Sequence, residues 1–373
     1  MRRTSNVRYR TTTMYSLYES TITDRSAQPH THFEMARAIP KDSLILVTGV
    51  NGYIGSHVAD QLLQAGYRVR GTTRDLEKVK ALKQYWETEH GPGRLEVVVV
   101  KDMAHEGAFD EAVKGVAGIA HTASNMTFSP DPNKVIPEVL AGINNILQSA
   151  ASEPSIKRFV YTSSSTAAVH PKPNEEFTIT TDSWNEEDVE KAWAPAPYEA
   201  ERAVAVYSAS KVEGEKALWK FVKDYKPHFV CNAVLPNSNF GKILVKGQPA
   251  SSASFIQAIY YGNITEGVRS FTPQWFVDVQ DTGRLHVAAL IDQTVENERI
   301  FAFSEPFNWN DVLRHLRALR PDHKFVDDFC DDNIRDRSKV QNERGAELLK
   351  TFGRPGWTSL KESLKNLLDS QGL

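Results

Sequence analysis

The sequence predicts a doubly wound α/β fold, a mostly parallel sheet with helices on both faces, and three observations carry that expectation. Short apolar, β-branched runs alternate with amphipathic helical stretches, the order that right-handed crossovers between parallel strands require. Several runs, such as VVVV (97–100) and VCNAVL (230–235), are apolar almost throughout, as burial on both faces demands. A glycine-rich turn stands between the first run and the first helical stretch.

In chain order, LILVT (44–48) is the first strand, followed by the turn and an amphipathic stretch to about Ala65. YRVRGTT (67–73) reads as a second strand and LEKVKALKQYWETE (76–89) as a helix. RLEVVVV (94–100) is the third strand, with a short helical pattern at 105–114. GVAGIAHTA (115–123) and RFVYTSS (158–164) are the fourth and fifth, separated by a helix over roughly 132–152, and HFVCNAVLP (228–236) is the sixth. Residues 165–205 are loop-rich, with Pro171, Pro173, Pro195 and Pro197. Beyond about Asn237 the character changes to Ser-rich and Pro-containing loops, a Trp275–Phe276 pair, and helices near 308–319 and 358–369. The pair suits a substrate wall or simple packing. The expected organisation is a non-core tail over 1–40, a nucleotide-binding domain with the catalytic residues over 41–236, and a mainly substrate-binding lobe over 237–373, interleaved with the core. No repeat is visible at periods of about 20–50 residues.

Composition narrows the function classes. Apolar residues make up 40% and charged residues 24% of 373, with 21 Gly and 18 Pro, which excludes disorder throughout, collagen and a coiled coil. The 44 basic and 47 acidic residues leave a net charge of −3, so nothing suggests nucleic acid or a membrane surface. Cys231 and Cys330 alone make neither a zinc site nor a disulfide framework; a reducing, cytoplasmic setting is expected. Cys231, inside an apolar strand, reads as core. His105, His121 and His170 lack metal-ligand spacing, so no metal is expected, and His121 reads as a strand-end residue near a cofactor. The acceptor patterns at Asn125–Thr127 and Asn263–Thr265 read as chance. Nothing marks an obligate protein partner. Between Met1 and Tyr18, Arg2, Arg3, Arg8 and Arg10 stand among Ser and Thr without an acid. That stretch suits an organelle transit peptide, a disordered tail, or a start codon placed ahead of Met35.

The chemistry begins at Thr48-Gly49-Val50-Asn51-Gly52-Tyr53-Ile54-Gly55, where a strand ends and a helix starts. Gly49 permits the tight turn, Gly52 lets backbone approach a pyrophosphate, and Gly55 lets helix and strand pack closely. The helix N-terminus stabilises the phosphate charge. This makes the predicted core Rossmann-type, with Asn51, Tyr53 and Ile54 in the cofactor turn. At the end of the second strand an NAD site carries an acid for the ribose hydroxyl. Here Arg74 stands there, with Lys78 four residues on, and two cations suit the 2′-phosphate of NADP. Asp75 and Glu77 keep a merely solvated cluster open. Asp102, followed by Met103 at the end of the third strand, is placed to accept from the adenine amino group or to cap an exposed turn.

Tyr207-Ser-Ala-Ser-Lys211 opens the helix between the fifth and sixth strands, and Tyr207 is the only one of the 12 tyrosines with Lys at i+4. On a helix that spacing sets the ammonium beside the phenol. Bringing a phenol from about 10 toward neutral needs about 4 kcal/mol, and a cation about 5 Å away supplies roughly 3.3, so Lys211 is expected to lower it. The fifth strand ends in Thr162-Ser163-Ser164-Ser165, where a hydroxyl would meet a carbonyl oxygen or cap a loop.

TGVNGYIG, Arg74, HTAS (121–124), TSSS, Tyr207-x-x-x-Lys211 and AVLPN (233–237) together resemble an extended short-chain dehydrogenase/reductase. Within that family the chain is similar to the dihydroflavonol reductase and cinnamoyl-CoA reductase branch, and most to fungal aldehyde reductase II-type carbonyl reductases. RFVYTSS, HPKPN (170–174), PHFVCNAVLPN and FGRPGW (352–357) carry the nearer match over about residues 40–370. The resemblance implies Ser164 as the catalytic serine, Tyr207 as proton donor and Lys211 as its ribose-binding partner. It also implies Thr122, Ala123, Ser124, Pro236 and Asn239 beside the cofactor. Where the family has Pro after HTAS this chain has Asn125, which leaves the pocket near Asn125, Met126 and Phe128 unassigned. The implied activity is NADPH-dependent reduction of an aldehyde or ketone. An NAD-holding nucleotide-sugar epimerase or dehydratase, and a catalytically silent NADP sensor, are the alternatives. Arg74 and LPN argue against the first, and the retained Tyr207 and Lys211 against the second.

Overall fold

Strands and helices alternate through residues 36–373, the part of the chain that the computed structural model describes. The order begins β1 (Leu44–Thr48), α1 (Tyr53–Gln64), β2 (Arg68–Thr73), α2 (Lys80–His90), β3 (Leu95–Val99), β4 (Gly118–His121), α3 (Ile136–Ser152) and β5 (Arg158–Thr162). It continues with β6 (Thr178–Ile179), α4 (Glu186–Trp193), α5 (Ala203–Tyr225), β7 (Val230–Pro236), β8 (Ser238–Phe240), α6 (Ala253–Tyr260), α7 (Glu266–Arg269) and β9 (Gln274–Asp278). The last elements are α8 (Val279–Ile291), β10 (Arg299–Ala302), β11 (Glu305–Phe307), α9 (Trp309–Leu319), β12 (Lys339–Val340), α10 (Glu343–Lys350) and α11 (Leu360–Gln371).

Seven strands form one parallel sheet in the order β10-β7-β5-β4-β1-β2-β3. The winding reverses between β1 and β4, where Thr48 pairs with His121, so a crevice opens beyond the carboxyl ends of those strands. One core lies between sheet and helices, built on residues such as Leu46, Ile119, Ile143, Phe159, Leu218 and Leu235. A second, aromatic core around Phe240, Phe276, Phe307 and Trp309 is covered by α6, α9 and α11 and by a small sheet ordered β11-β9-β8. Helix α1 is buried nearly all round because α8 crosses it closely: a Cβ on Gly283 would lie 3.0 Å from the His57 carbonyl oxygen.

Several expectations are corrected. Residues 105–114 form successive turns instead of a helix; Gly107 sits at φ +71°, a left-handed break, while Phe109, Ala112 and Val113 still face the core. Residues 76–79 are a 3₁₀ turn capped by Asp75, whose side chain accepts from the Glu77 N–H, and the α-helix starts at Lys80. The loop-rich 165–205 contains α4, capped by Asn185. A seventh strand, β10, was not legible and joins the main sheet beside β7, so the chain after 237 returns into the main sheet. Residues 36–40, expected outside the core, pack on it: Ile39 is wholly buried against the Cβ-free Gly118, and Arg37 forms a β-bridge with Asp292. The expectations for residues 1–35 lie outside the described residues.

Candidate active site

The glycine turn takes the shape its spacing demands. Gly49 adopts φ +64°, and Gly52 caps α1 in extended conformation with no side-chain cap and no acid in the first turn. A Cβ on Gly55 would meet the Gly49 carbonyl oxygen at 2.5 Å and Thr122 Oγ1 at 2.7 Å, so only glycine lets the helix seat on the strand ends. A Cβ on Gly52 would meet only the Gly49 carbonyl oxygen, at 3.2 Å; its Cα face is otherwise open. An uncapped helix start behind an open glycine is an anion cradle. Across the crevice, Thr48 Oγ1 accepts from the N–H groups of Thr122 and Ala123 at 3.0 and 3.1 Å and lies 2.9 Å from His121 Nδ1. With both lone pairs used, that hydroxyl donates to His121. Burial draws His121 down to about 3, so the imidazole is a neutral strut between the cradle walls. Ser124 Oγ beside it is buried without a partner among the described residues. Such an orphan fits a ligand hydroxyl or phosphate oxygen.

Other predicted contacts separate. Asn51 Oδ1 accepts from Thr73 Oγ1 at 3.0 Å and ties the turn to the end of β2. Arg74 and Lys78, just beyond, are exposed, and neither forms an ion pair among the described residues, whereas Glu77 pairs with Lys80. Asp102 spends one carboxylate oxygen on the Ala104 N–H, capping its own turn. Met103 packs against Gly142 of α3. The side chains of Tyr53 and Ile54 point away into the second core, Tyr53 donating to the Gly241 carbonyl, so only their backbone faces the cradle. Asn239 is buried and its amide is occupied, donating to the Asn237 carbonyl and accepting from Thr282 Oγ1. Pro236 is buried at the end of β7.

The remaining trio does come together. Ser164, two residues past β5, caps a 3₁₀ turn by accepting from the Thr166 N–H at 3.2 Å, the loop-capping role that the sequence left open. On the first turns of α5, Tyr207 lies near enough to Ser164 for that hydroxyl to influence the phenol, and Lys211 Nζ lies 5.9 Å from the Tyr207 ring centre while donating to the Thr162 carbonyl at 3.2 Å. The expected lowering of the phenol by Lys211 is not met. Burial pushes Tyr207 above its ordinary value, and the Ser164 hydrogen bond only partly opposes it. Burial also draws the Lys211 ammonium down to about 8, while Glu215 holds it up. Phe128, at φ +50° in the strandless loop after β4, stacks on Tyr207 with ring centres 5.0 Å apart. Asn125 shapes that loop, donating to Glu138 at 2.7 Å and accepting from the Thr127 N–H and hydroxyl. No sequence pattern marked the stack. Trp275 packs on Phe303, donates to Ser338 and lines a small cavity with Ser165 and Asn237, so it packs and borders the site together.

The sequence profile of the NAD dependent epimerase/dehydratase family matches residues 45–301. The aldehyde reductase 2 of Sporidiobolus salmonicolor is 42% identical over 335 residues, covering 89% of this chain and 97% of that protein. A ketoreductase of Penicillium rubens is 39% identical, covering 88% and 96%. Among solved structures, the yeast methylglyoxal/isovaleraldehyde reductase Gre2 complexed with NADPH superposes with a TM-score of 0.74 at 23% identity, covering 88% of this chain and 98% of that one. At that identity the likeness is one of fold.

Proposed function

This chain belongs to the NAD dependent epimerase/dehydratase family and is an oxidoreductase; we propose that it reduces an aldehyde or ketone carbonyl to the alcohol with NADPH. The observation that carries the proposal is the meeting of Ser164, Tyr207 and Lys211 beside an uncapped glycine cradle, with Arg74 and Lys78 free of ion pairs among the described residues. The open face of Gly52 and the N-terminus of α1 would hold the pyrophosphate, Ser124 a neighbouring oxygen, and Arg74 with Lys78 the 2′-phosphate.

Bound NADPH supplies the hydride. Ser164 and Tyr207 donate hydrogen bonds to the carbonyl oxygen, and these strengthen as negative charge grows on it. Tyr207 then gives up its proton. Its raised value keeps the phenol protonated through neutral pH, and an alkoxide is far more basic than a phenolate, so the transfer runs downhill. Lys211 remains as the cation that stabilises the phenolate left behind. Phe128 stacks on the phenol and covers one face of its ring.

A panel of aldehydes and ketones, from small aldehydes to bulky aromatic ketones, assayed by loss of NADPH absorbance with UDP-sugars as controls, tests the reading. Carbonyl-dependent NADPH oxidation is expected for at least one class. Turnover of a UDP-sugar on tightly held NAD, with no carbonyl accepted, would replace the reductase with the epimerase reading.

A further inference from the structure

One turn beyond Lys211, helix α5 carries Glu215, which is wholly buried. Its Oε2 accepts from Ser163 Oγ at 2.6 Å and from Arg299 Nη2 at 3.3 Å. Its Oε1 accepts from Arg299 Nε at 2.6 Å and from Trp219 Nε1 at 3.1 Å. Arg299, the first residue of β10, is anchored in turn by the Thr181 and Ser183 carbonyls and lies 3.9 Å over the Trp184 ring centre. Three side chains one turn apart on α5 therefore meet three consecutive residues where β5 ends. Tyr207 meets Ser164, Lys211 holds the Thr162 carbonyl, and Glu215 holds the Ser163 hydroxyl.

We propose that Glu215 is a positioning residue of the reaction: clamped by Arg299 and Ser163, it fixes the strand end that presents Ser164 and keeps Lys211 charged beside Tyr207. The proposal rests on the reductase reading above. A buried ammonium without an anion loses its proton, because desolvation disfavours the charged form. Around Lys211 the titratable neighbours are Tyr207 and Glu215 on its own helix, Tyr161 of β5 with its ring centre 5.7 Å from Nζ, and His121 of β4. Burial raises Tyr161 and lowers His121, which leaves both neutral. Glu215 is thus the anion that serves Lys211, and it shares its charge with Arg299.

The test compares the pH dependence of kcat/KM for wild type and Glu215→Gln, together with their thermal midpoints. The sign follows from Lys211: without the carboxylate its ammonium is lost at lower pH. The alkaline limb should therefore move acid by about 1–2 pH units, the size of one neighbouring charge. Because Glu215→Gln leaves Arg299 as a buried unpaired charge and risks unfolding, the double variant with Arg299→Gln is measured too. It removes both charges, and its limb should fall between the other two. Folded variants whose limbs and turnover coincide with wild type would overturn the proposal. If wild type reduces no carbonyl, the reductase reading fails separately. The Lys211 amine is then titrated by NMR in cofactor-free, ¹³C-lysine-labelled protein, with Lys211→Met for assignment. An unmoved midpoint in Glu215→Gln overturns the proposal there as well.

Discussion

On the proposed reading, Arg74 is the residue that would choose between the two nicotinamide cofactors, through a single charge. It stands exposed at the end of β2 while the acids near it are engaged elsewhere, Asp75 capping the 3₁₀ turn and Glu77 pairing with Lys80. A charge-assisted hydrogen bond to the 2′-phosphate is worth roughly 1.5–3 kcal/mol, so Arg74→Ala should raise the Michaelis constant for NADPH about 10- to 150-fold. NADH carries no phosphate there, and its constant should hardly move; equal loss for both cofactors would make Arg74 a structural residue. Added salt should weaken NADPH binding more than NADH binding, because the contact is exposed. The position of Arg74 at the end of β2 was legible, because a residue's place after a strand can be read from sequence alone. The sequence misled at Tyr207, where spacing shows that Lys211 is near but not how much water is excluded. Burial is the largest influence on the phenol and raises it, which the spacing alone does not show. Glu215 had a legible signal, its place four residues after Lys211. Its partners Ser163 and Arg299 come from two other elements and could be found only in the fold.

At the scale of elements, the turn between β1 and α1 separates two roles for glycine. Gly55→Ala would press a methyl within 2.5 Å of the Gly49 carbonyl oxygen. Overpacking of that kind costs about 1–3 kcal/mol, so the thermal midpoint should drop and NADPH affinity with it. Gly52 has φ −74° and meets only the Gly49 carbonyl oxygen, at 3.2 Å, so Gly52→Ala should lower the midpoint less than Gly55→Ala while NADPH affinity falls. Differential scanning calorimetry beside a binding titration checks both; a Gly52→Ala variant destabilised as much as Gly55→Ala would deny the cradle. Long periodic elements were legible because burial on one or both faces writes itself into the local pattern. The 105–114 segment has helical spacing of buried residues, but Gly107 at positive φ turns that spacing into packed turns. Helix α9, expected near 308–319, begins at Asn308, which forms a reciprocal capping box with Asp311. Four-residue β10 carries too little pattern to be read, and its place in the sheet comes from pairing with β7.

For the whole molecule, the reversal of strand order between β1 and β4 brings the cradle, the loop carrying Phe128 and the end of β5 to one edge of the sheet. The alternating strands foretold that edge. Interleaving of the segment after 237 with the core was expected, but not which elements do it: α8 and β10 join through long-range packing such as the α1–α8 crossing at Gly283. The central claim is that this assembly delivers a proton from Tyr207 to a carbonyl oxygen reduced by NADPH. Its most direct test is the turnover of Tyr207→Phe on a carbonyl that wild type accepts, with NADPH affinity measured alongside. The variant keeps the ring that stacks on Phe128 and loses only the hydroxyl, so turnover should fall about 10²–10⁴-fold with NADPH affinity unchanged. A variant that reduces the same carbonyl at nearly the wild-type rate would contradict the account.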